Sequence, residues 1–278
     1  MLKDLMVHLD GGGEDEVRLA HAEAIATRFG AHITGLYVNP LADYPVAFAG
    51  EPRLTPIKSA EEREERARSE AELALARLQE RFGRLDGPSE IRPLATQASE
   101  IAKLAASEAR WADLFLASAP YRSADAALGD SLLESVLFGA GRGIFAVPPG
   151  RKASAQIDNI LIAWQDTREA ARAIAEAMPF LLRAKTTRIL TVDAHAGRAE
   201  AAMDVAAHLD RHGIGVEIHA VKSGEGGVAG VLIGEAHKMA ADLIVMGAYG
   251  HSRLREYFLG GATRDMLKTS DIPILMAH

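Results

Sequence analysis

The sequence predicts an α/β fold of two tandem doubly wound domains, each built on a five-stranded parallel sheet. Three observations predict it. Short runs of almost wholly apolar residues recur along the chain with helical stretches between them, and strands of that kind are buried on both faces, as in a parallel sheet covered by helices. The order of strand and helix repeats at low identity with a period of about half of the 278 residues. The composition, 48% hydrophobic and 25% charged, is that of a folded chain, and either half is long enough to bury its own core.

The first half opens on the apolar run Leu5 to Leu9, followed by turn residues and an alanine-rich helical stretch. Ile33 to Val38 and Ile91 to Leu94 supply the second and third strands, Ala112-Asp113-Leu114-Phe115-Leu116 introduces the fourth, and Ile144 to Val147 closes the half. The second half repeats the plan with Ile160 to Trp164, Ile189 to Val192, Val216 to Val221, Ala241-Asp242-Leu243-Ile244-Val245 and Ile274 to Met276. Between the halves, Pro148-Pro149-Gly150-Arg151-Lys152-Ala153-Ser154 breaks all periodicity, so the domains are expected at 1–150 and 151–278.

The halves are unequal. Asp10 and Asp113 lie 103 positions apart, and Gln165 and Asp242 only 77. The extra length in the first half is a Pro- and Gly-containing stretch from Leu41 to Ile57 and a long helix whose apolar face reads Ala71, Leu75, Leu78, Phe82 and Leu85. The charge-rich start of that helix, Glu61 to Arg66, reads as a solvated face.

Composition excludes several functions. With no cysteine there are no disulfides, thiolate metal sites or thiol nucleophiles, which agrees with a cytoplasmic setting. A net charge of −7 and 5% aromatic residues argue against a nucleic-acid partner. No apolar run approaches the roughly 18 residues of a membrane span, so no membrane partner is expected.

The most informative stretch runs from Val245 through Gly247, Gly250, Gly260 and Gly261 into a helix expected over Ala262 to Lys268. It leaves the fourth strand of the second half, where the crevice of an open parallel sheet lies. The pair Gly260-Gly261 stands before the helix, whose free amides and positive dipole end suit a phosphate, with Thr263 and Arg264 nearby.

The spacing Gly247-x2-Gly250-x9-Gly260, with Ala241 to Val245 before it and Asp271-Ile272-Pro273-Ile274-Leu275-Met276 after it, resembles the nucleotide-binding loop of the universal stress protein family. The resemblance covers nearly the whole chain as a tandem pair. It implies a Rossmann-like, adenine nucleotide alpha hydrolase-like fold, a role in stress response, and ATP or a related adenine nucleotide as ligand and partner. Carried over by position, Gly247, Gly250 and Gly260 match the loop, and Val192 closes the second strand on the base and ribose side. Gly261 stands where binders carry Ser or Thr, leaving Thr263 as the candidate hydroxyl. Gln165 stands at the first-strand Asp position, with Asp166 next to it. An amide at Gln165 both donates and accepts, as an adenine edge requires. Relatives pair through the last strand, so the resemblance also implies pairing between the two halves, a homodimer, or both.

The first half keeps the acid, Asp10, but not the loop: Ser118 and Tyr121 stand near the first two glycine positions, and Asp130 follows Gly129 at the start of the last helix. A carboxylate there satisfies free amides itself and repels phosphate. Gly11-Gly12-Gly13 is followed by Glu14, Asp15 and Glu16 and reads as a flexible turn, not a phosphate cradle. Asp204, His208 and His212 recur at helical spacing, but His212 before Gly213 reads as a helix end, and no metal site is expected. No phosphate loop of the GxxxxGK type and no nucleophile elbow occurs, so no catalytic residue is assigned and slow ATP hydrolysis is the most turnover the sequence suggests. The competing readings are a ligand-free assembly module and an enzyme acting on an adenylated or phosphorylated small molecule.

Overall fold

A computed structural model of the chain describes residues 1–41, 57–122, 127–154, 156–193, 196–224, 226–250 and 261–278. In the first half the elements are β1 (Asp4–Leu9), α1 (Asp15–Phe29), β2 (His32–Leu41), α2 (Ile57–Phe82), β3 (Ser89–Gln97), α3 (Ala98–Ala109), β4 (Leu114–Ser118), α4 (Ala127–Gly139) and β5 (Gly143–Val147). In the second they are β6 (Asn159–Ala163), α5 (Arg168–Leu181), β7 (Thr186–Val192), α6 (Ala196–Arg211), β8 (Glu217–Val221), α7 (Gly227–Lys238), β9 (Leu243–Gly247), α8 (Gly261–Thr269) and β10 (Ile274–Ala277).

The strands form one ten-stranded sheet in the order β3-β2-β1-β4-β5-β10-β9-β6-β7-β8. Within each half all neighbours are parallel; the two fives join where β5 and β10 pair antiparallel, Ile274 opposite Ala146 and Met276 opposite Ile144. The predicted pair of five-stranded sheets is therefore fused into one. The reason is visible in burial: every residue of β5 and β10 is buried, and an apolar strand left at an edge is an open template for pairing. The outer edges are treated differently. β3 and β8 are largely exposed and carry Glu90, Arg92, Glu217 and His219, side chains that discourage further strand addition.

Apolar layers cover both faces, and each layer takes residues from both halves. One contains Phe29, Phe145 and Phe180, with the Phe29 and Phe180 rings edge to face at 5.2 Å and those of Phe145 and Phe180 6.2 Å apart. The linker is tied back to α1, since the Gly150 amide donates to Glu14 and the Arg151 carbonyl lies 3.1 Å from His21 Nε2. On the long helix, Ala74, Leu78 and Phe82 are buried with Leu75 packed beside them, while residues 65–70 are exposed, as a solvated charged face requires. Among the described residues, no helix is long and apolar enough to cross a membrane.

Candidate functional site

In an open parallel sheet the ligand crevice lies at the carboxyl ends of the strands, where the strand order reverses. This chain has two such points, between β1 and β4 and between β6 and β9. The pairing of Leu5 with Leu114 repeats as that of Ile160 with Leu243, which makes Asp10 and Gln165 counterparts.

The first crevice is filled from within. Arg18, 2% exposed, donates from Nη1 to Ser118 Oγ at 2.8 Å and from Nη2 to the Asp15 carboxylate, with Asp10 Oδ1 3.0 Å away. Asp15 also accepts the Asp10 and Gly11 amides at 3.1 and 2.8 Å. The glycine triplet is thus a turn closed on a carboxylate instead of a flexible one, because Asp15 occupies the position an anion would take. Burial raises the Asp15 carboxyl above its usual range despite Arg18, whereas Asp10 is lowered: burial is the largest influence and opposes ionisation there, but Arg18 and the other favourable contacts, the Gly12 amide among them, together outweigh it. His8, buried beside them, is lowered to about 3, first by burial and then by Arg18, so it is neutral at ordinary pH. At the head of α4, Asp130 accepts the Tyr121 amide at 2.9 Å. The carboxylate thus serves an amide of the preceding loop and not, as its place in the sequence predicts, the free amides of the helix start, because α4 already begins at Ala127.

The second crevice lacks those two fillings. Counting from Ile160 as Arg18 is counted from Leu5 arrives at Ala173, and the first turn of α8 carries no acid. Gln165 and Asp166 are exposed in the turn after β6, the Gln165 carbonyl accepting the Thr167 amide at 2.7 Å. Thr167 caps α5 through its hydroxyl. Val192 is half-buried at the end of β7. Gly247 meets the first turn of α5 so closely that a Cβ would lie 2.5 Å from the Ala170 nitrogen, and only glycine fits. A Cβ on Gly250 would lie 3.3 Å from Glu169 Oε2 and 3.7 Å from Thr167. The two loop glycines are thus brought against the turn that carries Gln165 and Asp166. Gly261 opens α8 and is exposed, and Thr263 is buried with Oγ1 accepting the Tyr249 amide at 3.4 Å. Gly260 and His251 lie outside the described residues.

Sequence reasoning did not single out Glu169. It is 6% exposed, and although burial opposes its ionisation, the Arg168 hydrogen bond of 2.6 Å and its own backbone amide hold its carboxyl below the usual range. Trp164, next to Gln165, is 9% exposed, and its Nε1 has no hydrogen-bond partner among the described residues. His237, weighed for its place near the loop, is engaged by Asp271 at 2.7 Å. The His208 and His212 rings meet edge to face, and no group that would hold a metal occurs among the described residues.

Residues 181–278 match the model of the universal stress protein family. That match lies within the second half of the chain. A universal stress protein structure from Archaeoglobus fulgidus extends the likeness in fold across both halves. That structure superposes with a TM-score of 0.71 at 17% identity, over 99% of this chain and 96% of the other. A Pseudomonas aeruginosa structure ascribed to the same family gives 0.57 at 16%, over 99% and 92%. At those identities the structural likeness speaks for the fold alone. No curated relative matches. The chain is asymmetric: an arginine and two carboxylates close one crevice, while neutral residues line the corresponding positions of the other.

Proposed function

We propose that this protein acts in a stress response by binding ATP or a related adenine nucleotide in its second unit, 151–278, as a regulatory ligand, with 1–150 as a non-binding scaffold. The observation that carries this is the contrast between the crevices: Arg18 and Asp130 fill the first, and Ala173 and Gly261 stand at the matching points of the second. The amino end of α8 has no acid in its first turn, so its amides and dipole favour phosphate. In this reading Gly247 and Gly250 give the loop room, Gly260 and Gly261 present backbone to the phosphates, and Gln165, Asp166 and Val192 face the base and ribose. Thr263 acts indirectly by holding the Tyr249 amide. The buried Trp164 N–H beside Gln165, without a partner among the described residues, is a donor that a ligand acceptor would satisfy. Glu169 bears a charge unfavourable to phosphate, which Arg168 offsets.

The test is equilibrium dialysis of the purified protein against ATP, with the emission of Trp164 followed in a Trp111→Phe background. Trp111 is 81% exposed, so its replacement leaves the core intact. Binding by the parent and its loss in Gly250→Asp and Gly260→Asp are expected. A folded parent that retains no nucleotide overturns the proposal. One observation favours the rival reading of a ligand-free assembly module, namely that Gly247 has a sufficient structural reason in its approach to α5. Under that reading a denatured extract contains no nucleotide, while a stable oligomer persists.

A further inference from the structure

The loop after β9 and helix α8 are held by side chains of the first half. The Tyr121 and Tyr249 hydroxyls lie 2.9 Å apart, and both donate to Glu134 Oε1, at 2.5 and 3.4 Å. Both tyrosines have left-handed backbone, φ 66° and 52°, an arrangement that is costly for a non-glycine residue and persists only where its surroundings impose it. Beside them, Arg122 donates from Nε to the Leu267 carbonyl at 3.0 Å and from Nη2 to that of Ser270, supplying a cation to the carboxyl end of α8. Arg264 of α8 in turn lies over the Tyr121 ring, 4.8 Å from its centre. Tyr249 immediately precedes Gly250, and α8 carries Gly261 and Thr263.

We propose that Tyr121, Arg122 and Glu134 are positioning residues for the second half's site: the first half holds both the loop and the helix that present backbone to the ligand. The proposal rests on the nucleotide-binding reading, and it explains why a unit whose own crevice is filled is retained beside one whose crevice is not.

The experiment compares the full-length parent with Tyr121→Phe, Glu134→Gln and Arg122→Met, using Phe145→Leu as a control that loosens the contact between halves without touching this cluster. Amide hydrogen exchange is read over 243–250 and 261–270, and ATP affinity by dialysis. Losing one or two hydrogen bonds is expected to speed exchange in both segments about three- to tenfold and to weaken ATP to a similar degree. Phe145→Leu is expected to alter neither selectively. Tyr121→Phe keeps the ring, so a fold defect in Arg122→Met does not remove the test. Unchanged exchange in both segments for all three variants overturns the proposal. Faster exchange in the variants, alongside a parent that binds no ATP, supports the clamp and refutes the nucleotide reading, so the two failures are distinguishable.

Discussion

Replacing Arg18 by methionine removes a cation from the most enclosed ion pair at either crevice. The Arg18 and Asp15 side chains are 3% and 6% exposed, and removing one partner of a buried pair costs about 3–5 kcal/mol, since the remaining charge has neither solvent nor counterion. Two features place this case at the lower end. Asp15 keeps its two backbone amides, and Asp10, 45% exposed, is partly solvated. The expected loss at pH 7 is therefore about 3 kcal/mol. The pH dependence follows from the sign of the Asp15 shift. Its carboxyl already lies above the usual range through burial, and removing Arg18 takes away the main opposing influence and raises it further. A carboxyl raised in the folded state is protonated at the expense of the unfolded state as pH falls, so the penalty of the substitution shrinks between pH 7 and pH 5. Urea unfolding of the parent and Arg18→Met at both pH values measures this, with Asp15→Asn added to recover part of the loss. A penalty below about 1 kcal/mol at pH 7, or one independent of pH, refutes the buried-pair reasoning.

Three further outcomes are expected. Gly247→Ala places a methyl against the α5 backbone at 2.5 Å, where no side chain can yield, and should lower stability by about 2–3 kcal/mol in thermal unfolding, whereas Gly250→Ala, whose nearest contact is a carboxylate tip at 3.3 Å, should cost less than about 1 kcal/mol. His8 is held neutral in the fold, its pKa lowered to about 3; the unfolded chain takes up the proton first, so stability falls as pH drops from about 6.5 toward 3, by up to about 1.4 kcal/mol per pH unit, and His8→Gln should flatten that slope. Phe180→Ala empties a fully buried position between Phe29 and Phe145 and should cost about 3–5 kcal/mol, measured by urea unfolding.

Much of the fold was legible because its signals are local. Apolar runs such as Leu5 to Leu9 and Ile160 to Trp164 name strands through their residue types, and Leu75, Leu78 and Phe82 fall on one helix face by spacing alone. The glycine loop was legible for the same reason. The partners of its residues were not: Gly247 opposite Ala170 and Gly250 beside Glu169 are contacts between segments about 80 positions apart, and spacing within one loop carries no information about the other. Arg18 stands three residues after Asp15, a visible pair, but its reach to Ser118 depends on β1 lying beside β4.

The sequence by itself determined the alternation of strand and helix, the duplication, and the loss of the glycine loop from the first half, since each is written in the order and type of neighbouring residues. Tertiary structure decided that two five-stranded sheets become one, because only in three dimensions do the apolar edges of β5 and β10 meet and satisfy each other's backbone groups. It also decided which crevice is filled and what holds the other. Those outcomes depend on hydrogen bonds such as Tyr121 to Glu134 and Arg122 to Leu267, whose geometry exists only after distant segments have packed.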